Sequence, residues 1–98
     1  MKVDKSEFKT FLEDSSKVAS YNPVLKALWY DGNGFWKKAH DEVDSLAGAD
    51  AARIHAYLHR KEGDEWNADY WYKRAGAQKP QNSLDEEWSD LLRHYLSK

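Results

Sequence analysis

The chain has no cysteine, which removes disulfide staples, thiolate zinc sites and cysteine nucleophiles from consideration. Ile54 is its only isoleucine and Thr10 its only threonine, and valine is rare. With β-branched residues this scarce, no alternating strand pattern can be traced. No apolar run approaches the roughly 18 residues of a membrane span, and the first twenty residues carry charges where a secretory leader needs its apolar stretch. An excess of one charge is missing too. Fifteen Lys and Arg are interspersed with 17 Asp and Glu for a net charge of −2, which is not the footprint of a nucleic-acid binder. These absences predict a cytoplasmic protein that engages neither membrane nor nucleic acid.

What is present is aromatic bulk. Five Trp, six Tyr and three Phe stand in 98 residues, and each ring can bury on the order of 150 to 250 Å². A chain so supplied folds despite being one-third charged, and its length fits one domain spanning residues 1–98. The apolar spacing is helical throughout, so the expected class is all-α with about six helices.

Phe8, Phe11, Leu12, Val18 and Ala19 fall on one stripe of a helix over residues 4–19. Asn22-Pro23 reads as the cap and first position of a second helix, reaching about Tyr30. Asp31-Gly32-Asn33-Gly34 reads as a turn, and Trp36, Ala39, His40 and Val43 mark a third helix. Asp50 is expected to cap a fourth helix running to Glu62. Gly63 would then end it, and Asp64 would cap a fifth helix that closes at Gly76. Ser83-Leu84-Asp85-Glu86 is a capping box, and Leu84, Trp88, Leu91, Leu92, Tyr95 and Leu96 form the apolar stripe of the sixth helix.

Between Ala56 and Pro80 the sequence resembles one tetratricopeptide hairpin. Ala68 follows Ala56 by 12 residues, Tyr72 follows Ala68 by four, Pro80 lies 12 beyond Ala68, and Gly63-Asp64 falls at the turn. Ala52, His55 and His59 stand where that pattern has Trp, Leu and Tyr. Ala27, Gly34, Ala39 and Val43 repeat the order of Ala56, Gly63, Ala68 and Tyr72 at an offset of 29 residues. The resemblance implies two stacked antiparallel hairpins flanked by N-terminal and C-terminal helices, the last one covering the array. The segment His55-Ala-Tyr-Leu-His-Arg-Lys-Glu-Gly-Asp, with the later Asn67-Ala68 and Tyr70-Trp71-Tyr72, also resembles that of a group of small all-helical proteins. That likeness implies no activity.

Two constellations compete for function. Tetratricopeptide units bind peptides on the inner side of their first helices, so Arg53, Tyr57, Arg60, Lys61 and Asp64 are expected to form a basic-aromatic face for a protein or peptide partner. The helix dipole alone also favours Arg60 and Lys61 in a last turn. The alternative is a metal site. His55, His59 and Glu62 share one helical face, and His40 on the neighbouring hairpin can approach them, a donor set suited to zinc or another divalent metal. The competing account of the histidines is packing in the interior. Asp41, Glu42 and Asp44 read as a solvated face. Tyr70, Trp71 and Tyr72 encircle their helix, so at least one ring faces outward, where it can serve a homodimer. No nucleophile elbow, phosphate loop or HExxH motif is found, and the chain reads as a binding or scaffolding module without a catalytic residue.

Overall fold

The computed structural model describes residues 5–97, with side chains from Phe8 onward. These residues are all-α, in the order α1 (Lys5–Glu13), a 3-10 helix (Ser15–Ser20), α2 (Pro23–Gly32), α3 (Trp36–Asp44), α4 (Ala49–Lys61), α5 (Glu65–Ala75) and α6 (Leu84–Leu96). Three helices begin where the sequence supplies an acceptor for their unpaired amides. The Asn22 side chain accepts from Leu25 N at 3.0 Å and that of Asp64 from Asn67 N at 3.2 Å. Ser83 and Glu86 close both halves of the capping box at 3.1 Å.

Three boundaries differ from the sequence reading, each for a local polar reason. The helix expected over residues 4–19 breaks at Asp14, whose carboxylate accepts from the amide and hydroxyl of Ser16 and restarts the chain as a 3-10 turn. The turn expected at 31–34 begins two residues later. Asp31 and Gly32 complete α2, Asn33 closes it, and Gly34 alone takes a positive φ there. Asp50 does not cap α4. Gly48 occupies that place without a side-chain bond, and Asp50 in the first turn accepts from the Tyr95 hydroxyl at 3.1 Å.

α2 with α3 and α4 with α5 form two helical hairpins that meet through α3 and α4, while α6 packs on α2 and α4 and α1 rests on α2. Leu28, Val43, Ile54, Leu58 and Leu92 are fully buried at this junction. A second cluster of Ala56, Ala68 and Tyr72 fills the α4–α5 crossing. Trp88 ties α6 to α2 by donating its indole N–H to the Leu28 carbonyl at 3.0 Å. Gly32 admits this contact. A Cβ there would collide with Leu12 and stand 2.8 Å from Trp88 Cζ2. No helix among the described residues is long and apolar enough to cross a membrane.

Candidate functional site

Much of the face expected to receive a partner is engaged in ion pairs within the fold. Arg53 and Arg60, two turns apart on α4, donate to the two oxygens of Glu87 at 2.7 Å each, and Tyr72 donates to the same carboxylate at 2.6 Å. Arg60 also donates to the Asn82 carbonyl. The Glu87 side chain is 1 % exposed, and a carboxylate buried so deeply is costly unless it is paired and hydrogen-bonded in this way. Burial, followed by the bond to Glu87, pushes the Tyr72 phenol well above its ordinary range.

One turn further along α4, Tyr57 donates to Asp31 Oδ2 at 2.7 Å and Lys61 to Asp31 Oδ1 at 2.9 Å. Asp64 is taken by its cap and by Asn67. Four of the five residues expected on the docking face thus pair within the fold, because α6 and the end of α2 bring a buried carboxylate to each group of cations, while Lys61 stays exposed and Asp64 caps α5 at the turn. The clue lay in register. Glu87 stands on the Leu84, Trp88, Leu91 stripe, and Asp31 lies three and four residues beyond Leu28 and Ala27.

The histidines gather on the opposite side of α4. His55 and His59 stack face to face with ring centroids 5.6 Å apart, and His40 of α3 meets both edge-on at 4.8 and 5.2 Å. Two tryptophans close the group. Trp36 stacks on His40, and Trp71 stacks on His55 at 4.1 Å. Trp36 is itself anchored by donating to the Leu58 carbonyl at 2.8 Å. Each of the three imidazoles offers a nitrogen within 4.8 Å of the other two.

Closer in, His55 Nε2 lies 3.2 Å from His40 Nε2 and 3.5 Å from Asp44 Oδ1, and His40 Nε2 lies 4.0 Å from the same oxygen. Asp44 is exposed, as expected of a solvated face, yet turns one oxygen toward these rings. A signal for it existed, since it stands four residues after His40 on the same side of α3. Glu62, expected among the metal donors, accepts from His59 Nδ1 at 2.6 Å, and these two with Asp64 form a second group whose ligand atoms lie within 4.8 Å of one another.

The electrostatics favour neutral imidazole. The His55 side chain is 1 % exposed, and burial, then His40 and His59, pull its pKa down from 6.5 to about 4. Its Nδ1 has no hydrogen-bond partner among the described residues. Comparison of the chain with protein families, with curated proteins and with solved structures finds no match. The tetratricopeptide likeness thus remains one of residue spacing alone.

Proposed function

We propose that the protein binds a divalent transition metal, zinc above the others, between α3 and α4. His40, His55, His59 and Asp44 are the ligands. The observation that supports this reading most is the triangle of His40 Nε2, His55 Nε2 and Asp44 Oδ1, with sides of 3.2, 3.5 and 4.0 Å. Two ligand atoms at 2.0 to 2.1 Å from one tetrahedral zinc stand roughly 3.3 Å apart, so a zinc fits over that triangle without large movement. The borderline nitrogen donors favour zinc, copper or nickel over magnesium and calcium.

Glu62 has a role behind the ligands in this arrangement. By accepting the Nδ1 proton of His59 it leaves Nε2 as the lone-pair nitrogen and fixes the ring. His55, neutral at pH 7, needs no deprotonation before it ligates. Purified without a polyhistidine tag, the protein should bind one zinc per chain in calorimetry and melt at a higher temperature when zinc is added. Asp44→Asn, at a side chain 63 % exposed, should keep the fold and weaken zinc binding by at least about tenfold, the low end of the loss seen even for partners behind a ligand. Zinc that neither binds nor raises the melting temperature at pH 7.5 sinks the reading.

A second reading, association of two copies, draws on the outer face of α5. Of the three consecutive aromatics there, Trp71 covers His55 and Tyr72 is buried on Glu87, leaving Tyr70 outward. Trp66, 77 % exposed, stacks parallel to Tyr70 at 6.3 Å, and Arg74 lies over the Tyr70 ring. Trp, Tyr and Arg are the residue types that dominate binding energy at interfaces. Light scattering should show a dimer that Trp66→Ala returns to monomer, and a wild-type monomer at high concentration removes this reading.

A further inference from the structure

An open cleft of about 350 Å³, lined by none of the histidines, lies where α1, the ends of α2 and α4 and the start of α6 converge. Its apolar wall is Phe8, Leu12 and Trp88, with the Phe8 and Trp88 rings edge to face at 5.5 Å. Its charged groups are Asp31, Lys61 and Asp85. A pocket of this size with an apolar wall and a few convergent polar groups is the usual form of a small-molecule site.

The sign of the charge selects the ligand. Lys61 is matched by the buried Asp31 at 2.9 Å, and that carboxylate is 1 % exposed, so the pair contributes no net charge to the cleft. Asp85 has no ion-pair partner among the described residues and leaves the cleft with a net charge of −1, summing Asp31, Asp85 and Lys61. The negative field is felt by Tyr57 on the cleft wall. Burial first, then Asp31 and more weakly Glu87 and Asp85, raise its phenol well above the ordinary range. The half-buried Phe8 ring attracts cations as well. The carboxylates and this ring thus prefer the same sign, and an anion reaching Lys61 would meet both Asp31 and Asp85.

We propose that this cleft binds an organic ammonium ion with a short apolar chain, its charge beside Asp85 and its chain against Phe8, Leu12 and the edge of Trp88 that the cleft uncovers. The site is independent of the metal reading. Three probes of equal length separate charge from apolar burial: hexylammonium, hexanol and hexanoate, each titrated into the ¹⁵N-labelled protein while the five tryptophan indole signals are followed.

Hexylammonium should give a saturable shift, largest at the Trp88 indole, with hexanol roughly tenfold weaker and hexanoate weaker still. Asp85→Asn should weaken hexylammonium by about fivefold and leave hexanol unchanged, and raised salt should weaken hexylammonium alone. Hexanol or hexanoate equal to hexylammonium overturns the proposal. So does a largest shift at Trp66, an ammonium affinity indifferent to both salt and Asp85→Asn, or no saturable shift at all.

Discussion

Protonating His55 would place a charge on a side chain that is 1 % exposed, between two other imidazoles and under the face of Trp71. In the metal-free protein its pKa lies near 4 against 6.5 for the free side chain, so the unfolded chain binds a proton that the native state refuses. A depressed histidine pKa makes the neutral form the stable one. Its contribution is complete above about pH 6.5 and disappears as the pH falls toward about 4. Denaturant unfolding across that interval should lose about 1.4 kcal/mol per pH unit on account of this one group. His55→Gln should lack that component, and a wild-type slope no steeper than the variant's shows that His55 carries its proton in the fold. Glu87 makes a different demand, because it compensates two guanidinium groups at once. Glu87→Gln leaves Arg53 and Arg60 without a counter-charge and should cost about 3 to 5 kcal/mol, measured by urea unfolding. A loss under 1 kcal/mol would mean that water reaches both guanidinium groups.

At the scale of elements, the α4–α5 hairpin rests on its turn and its crossing. Gly63 holds φ at +87°, with nothing within 4 Å of where a Cβ would stand, so Gly63→Ala tests backbone conformation alone. It should lower stability by about 1 kcal/mol, and an unchanged melting temperature would contradict the left-handed turn. Ala68 is fully buried in the crossing, whereas Asp69 is exposed. Ala68→Leu should cost about 1 to 3 kcal/mol by overpacking, and Asp69→Leu should stay within about 0.5 kcal/mol of wild type. Equal losses would place the crossing on another face.

The sequence made such features legible wherever one residue type has one local use. Asn22, Asp64 and Ser83 with Glu86 cap as read, Gly63 turns as read, and the class is all-α. The approach of His40 to His55 followed from placing two hairpins side by side. What stayed hidden depended on distant partners. The register of Glu87 and Asp31 puts each on an apolar stripe, but only α4, arriving from elsewhere in the chain, supplies the cations that permit their burial. Asp50 looked like a cap until Tyr95, 45 residues away, engaged its carboxylate.

For the molecule as a whole, α6 closes the fold by converging on α2 and α4 and reaching α5 through one side chain. It brings Trp88 to α2, Glu87 to α4 and α5, and Tyr95 to the start of α4. A chain ending at residue 82 would leave Leu28, Leu58 and both arginines without their cover. It should show no cooperative melting and little near-ultraviolet circular dichroism, and a sharp transition in that fragment would mean that the two hairpins fold unaided.

The convergence also has a consequence for the order of events during synthesis. Glu87 follows Arg60 by 27 residues, which a ribosome adds in roughly one to five seconds. Throughout that interval α4 is complete, yet its two guanidinium groups have no carboxylate to enter the core with, and they remain in water. Until Glu87 has been added, the two α4 arginines should therefore stay open to solvent, and a chain halted before α6 should be cut by trypsin at Arg53 and Arg60 where the finished protein resists.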